Sequence, residues 1–293
     1  MKRITYILTL AAAALTVMSC TKGNYEPADS PKEVEVEFCS QSSFSVSFTR
    51  ANENTFGGVI GARGNDAWEL TPESVTFEGL TGNATTPQTI TTSPETVTLP
   101  TGAYTFVSCA ISGNGSVSLQ DDKVTLTGGA QTTDNDVVWA QRTATVRASE
   151  DGSPFGVEFN YGHVFSAVRF ELSATGIAPD ELMDQTSIEG VGNLGLVTDG
   201  VLDILSGEVT AGNTLLADDI EWRKNYLVVP ITSTAGELCV VYRGTEYKGT
   251  LSPKVFEAGR RTVISITLNT STLGFTATVK DWDEIIDDSL TLE

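Results

Sequence analysis

Residues 33–51 read EVEVEFCSQSSFSVSFTRA and contain two runs in which apolar and polar side chains alternate. Strict alternation is typical of a β-strand with one buried face. We therefore expect both runs to lie in the core, where burial of their apolar side chains contributes on the order of 10–15 kcal/mol as an upper estimate. The apolar positions are Val34, Val36 and Phe38 in the first run and Phe44, Val46 and Phe48 in the second.

A single basic residue ends this segment. Arg50 lies in Thr49-Arg50-Ala51, just before the polar stretch 52–55. A trypsin-like protease can cut at this arginine. We hypothesise that the segment is a detachable strand, released by cleavage at Arg50. The alternative from these residues alone is that Arg50 simply closes a strand and faces solvent.

The N-terminus has the pattern of an exported lipoprotein. Lys2 and Arg3 precede the apolar run 4–17, which is too short to span a bilayer comfortably. Val17-Met18-Ser19-Cys20 then reads as a lipobox, in which the cysteine thiol receives diacylglycerol. We expect residues 1–19 to be a signal peptide, Cys20 to be the lipidation site and residues 21–32 to be a polar tether. A plain signal peptide is the alternative.

The charge balance excludes several classes of partner. Loss of Lys2 and Arg3 with the signal peptide lowers the 18 basic residues to 16 against 38 acidic ones, a net charge of −22. Such a surface argues against nucleic-acid binding and against adhesion to anionic lipid.

The remaining chain predicts an all-β fold with very little helix. Short apolar runs are separated by Gly, Pro, Asn and Asp at intervals of about 8–12 residues. Gly113-Asn114-Gly115 and Thr127-Gly128-Gly129 are hairpin signals, and residues 179–183 favour one helical turn. Strands in two antiparallel blocks, separated near residues 150–154, predict two tandem β-sandwiches. The predicted segments are 1–19 signal peptide, 20–50 tether and detachable strand, 51–153 first sandwich and 154–293 second sandwich.

The cysteines favour packing over chemistry. Cys39, Cys109 and Cys239 all fall inside predicted strands among apolar neighbours, so we interpret them as small buried apolar side chains. A disulfide from Cys39 to the body of the protein would hold the first strand in place after cleavage and would contradict the detachable-strand hypothesis.

No catalytic, metal or cofactor motif is present in the sequence. His163 is the single histidine, which favours a hydrogen-bonded structural role. The acidic pairs lack the spacing of a calcium loop, so we interpret them as turn residues and solvated charge. The sequence also leaves open a glycosidase, because its two catalytic carboxylates could be brought together by folding alone. The acidic pairs are Asp121-Asp122, Asp134 with Asp136, Asp218-Asp219 and Asp287-Asp288, and the four scattered tryptophans, interpreted as core residues, are Trp68, Trp139, Trp222 and Trp282.

Several motifs in order resemble the fimbrillin family of Bacteroidetes. They are the lipobox, Thr49-Arg50-Ala51, the run 56–61 (FGGVIG), the run 163–170 (HVFSAVRF), and the closing runs 256–260 (FEAGR) and 279–282 (VKDW). The resemblance covers nearly the whole chain.

The resemblance implies a type V pilin subunit, with two transthyretin-like β-sandwich domains and no enzymatic activity. It implies cleavage of the Arg50–Ala51 bond by an arginine-specific protease, removal of residues 20–50 and polymerisation with other pilin subunits by strand exchange. The implied location is the outer membrane, through the lipid anchor, and then the cell-surface fimbrium. The donor in this family comes from the C-terminal end, and the tail 283–293 could extend roughly 35 Å. Its apolar residues are Ile285, Ile286, Leu290 and Leu292, with a frayed terminus as the alternative.

We therefore expect a stalk subunit of a fimbria that serves cell adhesion, with a host or bacterial surface receptor as a candidate partner. The first alternative is a monomeric surface lipoprotein that binds a glycan or a host protein through its loops. The second is a tip or anchor subunit that is not cleaved.

Overall fold

The computed structural model describes residues 32–41, 55–82, 86–113, 116–132, 135–269 and 274–282. Within these residues β-strands are by far the commonest regular element, as the alternation of side chains predicts. The one α-helix among them is short, at Pro179–Asp184, and lies where a single helical turn is predicted. The all-β fold is therefore confirmed.

The first half of the described chain contains fourteen strands and a 3-10 turn at Pro72–Ser74. The strands are β1 Glu33–Ser40, β2 Thr55–Gly64, β3 Ala67–Leu70, β4 Thr76–Thr81, β5 Gln88–Ile90, β6 Thr92–Ser93, β7 Val97–Pro100, β8 Gly102–Ser112, β9 Leu119–Gln120, β10 Lys123–Thr127, β11 Gly129–Ala130, β12 Val137–Val146, β13 Phe155–Phe159 and β14 Gly162–His163.

The second half contains the remaining described strands, with helix α1 (Pro179–Asp184) and a 3-10 turn at Val191–Leu194. The strands are β15 Ser166–Ala174, β16 Thr186–Glu189, β17 Asp199–Asp203, β18 Val209–Ala211, β19 Asn225–Val228, β20 Ile231–Thr232, β21 Gly236–Tyr242, β22 Thr245–Leu251, β23 Val255–Phe256, β24 Arg261–Asn269 and β25 Gly274–Trp282.

Two sheets enclose a first hydrophobic core. One, which we call the β1 sheet, has the order β13-β1-β5, and β7 pairs with another part of β1. The other has the order β14-β12-β8-β2-β4-β6, with β3 paired to β2. Apolar side chains of both sheets form one buried cluster that includes Val36 and Phe38 of β1 and Ile60 and Phe106 of the facing sheet.

A larger sheet carries the second core. Its order is β11-β19-β15-β24-β25-β22-β21-β16, and its buried cluster includes Phe170, Leu238 and Ile264. The pairing of β15 with β24 is parallel, as is that of β1 with β13. The prediction of purely antiparallel blocks is therefore wrong, because these strands pair with partners that lie far away in the sequence.

A third sheet joins strands from both halves of the chain. Its order is β18-β17-β10-β9, and residues 123–127 of β10 pair with residues 199–203 of β17. A third buried cluster lies beside it and includes Val107 and Leu126 from the first half and Phe165 and Leu227 from the second. In addition, β13 and β14 follow the predicted boundary at residues 153/154 but pair with β1 and β12.

Gly128 marks a change of sheet rather than a hairpin. β10 pairs with β17, whereas β11, which follows Gly128 directly, pairs with β19 in the large sheet. A Cβ atom at Gly128 would lie 2.4 Å from the carbonyl oxygen of Leu227. The hairpin prediction at Thr127-Gly128-Gly129 is therefore wrong, and the glycine is needed because two backbones approach closely.

Candidate functional site

β1 is buried along its inner face. Val34, Val36 and Phe38 are 6%, 4% and 1% exposed, so the first alternating run forms the half-buried strand that the sequence predicts. Its outer face carries the exposed Glu33 and Glu35. This alternation brings every second side chain of β1 into the first core.

β1 also holds its sheet together. Val36–Ser40 pair in parallel with β13, Glu33–Val36 pair with β7, and Phe38–Ser40 pair with β5. Backbone hydrogen bonds extend this ladder at both ends, from Thr101 N to the Lys32 oxygen (2.8 Å) and from Gln41 N to the Phe159 oxygen (2.9 Å). Among the described strands, β5, β7 and β13 have no sheet partner other than β1. Removing β1 therefore removes the whole β1 sheet.

Phe38 lies at the centre of an aromatic cluster. Its ring stacks on Phe159 of β13, with centroids 6.0 Å apart, and meets Phe106 of the facing sheet edge-on at 6.2 Å. Tyr104 lies 5.9 Å from Phe106, and Tyr161 lies 5.8 Å from Phe159, again between ring centroids. Aromatic pairs at these distances add stabilisation beyond the buried area alone.

A buried pair of hydroxyl groups, from Tyr161 and Ser108, lies next to the aromatic cluster. The Tyr161 hydroxyl lies 2.7 Å from Ser108 Oγ, which donates to the carbonyl oxygen of Val59 at 3.0 Å. Burial raises the pKa of the Tyr161 phenol well above its usual value, so the phenol stays neutral. These hydrogen bonds join β2 and β8 to the turn that follows β13.

Ser40 is the one polar residue on the inner face of β1. It is 0% exposed, and its Oγ has no hydrogen-bond partner. A buried hydroxyl without a partner costs free energy because its hydration is lost and not replaced. β1 is therefore not the best-fitting strand for its own position.

The three cysteines behave differently from one another. Cys109 is a buried free thiol whose pKa burial raises to about 12, as expected of a small apolar side chain. Cys39 is also buried, as expected, whereas Cys239 is free but only half-buried, so the expectation fails for Cys239 alone. Cys109 and Cys239 are the only cysteines after Arg50, and both are free. No disulfide therefore ties β1 to the chain that follows Arg50.

Most of the predicted site residues lie outside the described part of the chain. These are Cys20, Arg50 and Ala51, the second alternating run with Phe44, Val46 and Phe48, and the tail residues Ile285, Ile286, Leu290 and Leu292. Their roles stay predictions.

His163 has the structural role that the sequence predicts. It is buried, and its Nδ1 lies 2.9 Å from Oδ2 of the fully buried Asp136. The interpretation of Asp136 as solvated charge is therefore wrong. Other acidic residues do serve turns, since Asp121 and Asp122 have φ of 52° and 61° and Asp218 accepts a hydrogen bond from Val191 N.

Three tryptophans pack against the cores and donate hydrogen bonds within the protein. Trp68 donates to Asp122, Trp139 to the Ile204 carbonyl and Trp222 to the Thr186 carbonyl. Across the described residues, no group of three or more His, Cys, Asp or Glu side chains is arranged to hold a metal ion. The described helix is too short to cross a membrane.

Sequence reasoning missed the partners of β1. The alternation identifies its buried face, but nothing in it points to Phe159 or Phe106, which lie over 60 residues further along the chain. The signal that could have indicated them is the aromatic content of the runs 104–106 and 155–161. Ser40 is polar, so it does not continue the apolar alternation of Val34, Val36 and Phe38, and the pattern does not mark it as buried.

Known proteins resemble this chain in sequence pattern and in fold. A family model described as fimbrillin-like matches residues 49–282. No curated protein sequence matches the chain.

Solved structures share the fold at low sequence identity. A Bacteroides uniformis protein provisionally assigned to cell adhesion is 19% identical, with a TM-score of 0.59, covering 86% of this chain and 99% of its own. A fimbrial assembly protein from Parabacteroides distasonis is 10% identical, with a TM-score of 0.56, covering 86% of this chain and 97% of its own. Because the family model matches most of the sequence, the chain belongs to the fimbrillin-like family, whose members are structural proteins rather than enzymes.

Proposed function

We propose that the chain is a structural subunit of a fimbria, in the stalk, and that it polymerises by exchanging β1 for a strand of a neighbouring subunit. Membership of the fimbrillin-like family supports the fimbrial role. The names given to the solved structures of similar fold, a cell adhesion protein and a fimbrial assembly protein, support a role in adhesion at the cell surface.

The observation that carries the proposal is that β1 alone joins β5, β7 and β13 among the described strands. Loss of β1 leaves these strands without partners and opens the first core along a groove. Unpaired strand edges beside an apolar groove form a strong template for another strand. A strand from a second subunit restores both the backbone ladder and the core.

Cleavage alone does not empty the groove. Burial of the three inner apolar side chains of β1 stabilises its binding in the groove by roughly 5–9 kcal/mol, as an upper estimate. A cut β1 therefore stays bound until a competing strand displaces it. This keeps the groove covered until a neighbour arrives, which protects the subunit from aggregation.

The processing steps belong to the same proposal. Cys20 receives lipid, the protein reaches the outer membrane, and an arginine-specific protease cuts after Arg50, which frees residues 20–50 together with β1. The family model begins at residue 49 and so excludes β1, although β1 is central to its sheet. This start agrees with a mature subunit that begins at Ala51.

The tail 283–293 is the proposed donor strand. It would leave one subunit and enter the groove of the next, so donor and acceptor surfaces differ. Such a head-to-tail contact does not close on itself and propagates as a filament.

The test compares Arg50→Ala with Arg147→Ala, a matched change at an exposed arginine that follows β12. We expect cells with Arg147→Ala to carry high-mass polymer, and cells with Arg50→Ala to carry lipid-anchored monomer. Polymer in both strains contradicts cleavage at Arg50. Monomer in both strains and in the wild type favours a monomeric surface lipoprotein instead.

A further inference from the structure

The inner face of β1 presents four positions to the core, and each has its own surroundings. Val34 lies opposite Leu99, and Val36 lies opposite Val97, so the first two positions are apolar, and each is filled by a valine. Phe38 occupies the third position, and Ser40 the fourth.

The third position is built for an aromatic ring. It lies between the stacked ring of Phe159 and the edge-on ring of Phe106, and Ile90 lies opposite it on β5. A smaller side chain leaves a void there, because the surrounding rings belong to two different sheets and cannot close together.

The fourth position is poorly filled. Ser40 is completely buried between Phe159 and Gln88, its partners in the ladder, and its Oγ has no hydrogen-bond partner. A small apolar side chain of similar volume would remove the cost of burying this hydroxyl.

On the basis of the proposed strand exchange, we infer that the groove selects its incoming strand by four alternate residues: two small apolar side chains, then an aromatic side chain, then a small apolar side chain. β1 satisfies the first three positions and fails at the fourth. A strand that fits all four positions therefore displaces β1. The outer residues Glu33 and Glu35 are exposed, so the groove does not select at those positions.

The order of the positions also sets the direction of the strand. The aromatic position lies toward the C-terminal end of β1, which runs parallel to β13 and antiparallel to β5 and β7. A strand in which the aromatic residue comes first therefore has to enter in the opposite direction to reach the same site.

The tail of this chain matches the rule only in part. In the register that places Leu292 at the fourth position, Leu290 takes the aromatic position and Ile286 the first position. Asp288 then falls at the second position, where a buried carboxylate is costly. The rule therefore predicts that Asp288→Val strengthens the tail as a donor.

A displacement experiment tests the rule. The purified full chain is cut after Arg50 under native conditions, and release of residues 20–50 is followed by size exclusion and mass spectrometry as peptide is added. The parent peptide covers residues 32–41 with Cys39→Ala, and its variants carry Ser40→Ala, Phe38→Ala or Glu35→Gln. Two further peptides cover the tail 283–293, one natural and one with Asp288→Val.

We expect Ser40→Ala to displace β1 about ten-fold better than the parent and Phe38→Ala at least about 100-fold worse. Glu35→Gln should match the parent, and Asp288→Val should improve the tail by at least about ten-fold. The inference is overturned if Phe38→Ala performs as well as the parent, if Ser40→Ala gives no gain, or if no peptide enters the groove.

Thermal unfolding of the intact chain provides a second readout that needs no cleavage. Ser40→Ala should raise the midpoint by about 2–4 °C, Phe38→Ala should lower it by more than that, and Glu35→Gln should leave it unchanged. An unchanged midpoint for Ser40→Ala contradicts the claim that the buried Ser40 hydroxyl weakens the fit of β1. The proposed function fails separately, if sheared fimbriae contain no subunit that starts at Ala51.

Discussion

Phe38 of β1 stacks on Phe159 of β13, with ring centroids 6.0 Å apart and ring planes inclined by 16°. The two residues lie on opposite sides of the proposed cleavage point. Their contact therefore joins the strand that would leave to the part of the chain that would stay. The strength of the Phe38–Phe159 contact therefore affects how long β1 stays bound after cleavage.

Removal of the Phe159 ring should loosen β1. Phe159 is 0% exposed, so Phe159→Ala should lower the free energy of unfolding by about 3–5 kcal/mol through lost packing and the cavity left behind. Urea unfolding measures this change. Val255→Ala, at a residue that is 50% exposed, is the control and should cost less than about 0.5 kcal/mol. Equal effects of the two substitutions would mean that the ring stack is not formed.

The change of sheet at Gly128 should not tolerate a side chain. A Cβ there meets the Leu227 and Thr198 carbonyl oxygens at 2.4 and 2.9 Å, whereas a Cβ at Gly162 meets no atom within 4 Å. We expect Gly128→Ala to destabilise the protein by about 1–3 kcal/mol or more. Gly162→Ala should range from neutral to about 1 kcal/mol stabilising. Chemical denaturation of both variants checks the pair, and a neutral Gly128→Ala would contradict the close approach of the strands.

Alkaline pH should destabilise the protein through Cys109. Its folded pKa is about 12 against 9.0 for an ordinary thiol, so between these values the unfolded chain loses a proton that the folded chain keeps. Stability from this group is complete below about pH 9 and falls as the pH rises, by about 1.4 kcal/mol per unit. Tyr161 acts in the same direction above its ordinary pKa of 10.0.

The comparison of wild type with Cys109→Ala isolates the thiol. From about pH 7.5 to about pH 10.5, wild type should lose about 2 kcal/mol more than Cys109→Ala in urea unfolding experiments. Burial is the largest cause of the raised Tyr161 pKa and is common to both proteins, so most of the tyrosine contribution cancels. Identical pH profiles would show that the Cys109 thiol ionises equally in both states.

Residues 20–50 should separate from the rest of the chain without a reducing agent. The two cysteines after Arg50 are free thiols, so β1 is held by packing and hydrogen bonds alone. After cleavage at Arg50, denaturing electrophoresis should resolve the two pieces equally well with and without reductant. If they separate only with reductant, a disulfide joins them and β1 cannot be exchanged.

The sequence predicts the elements of the fold better than their partners. Alternation over Val34, Val36 and Phe38 identifies the buried face of β1, because successive side chains of a strand point to opposite faces of the sheet. It does not predict that β1 pairs in parallel with β13, since ladder hydrogen bonds involve backbone atoms common to all residues. The same limit applies to the pairing of β15 with β24.

Local signals also failed where tertiary contacts override them. Thr127-Gly128-Gly129 has the composition of a hairpin turn, yet Gly128 is required by the Leu227 backbone beside it. Asp136 is placed in a polar run, yet it is buried against His163. The candidate site was predicted in outline from the first alternating run, but its aromatic third position depends on Phe106 and Phe159, which only the fold brings to β1.

The N-terminus of the assembled subunit tests the central claim most directly. Polymer is sheared from cells, separated from monomer by size and subjected to N-terminal sequencing. The account predicts that subunits in the polymer begin at Ala51 and lack β1. Polymer whose subunits begin at a blocked Cys20 and retain residues 33–40 would contradict it.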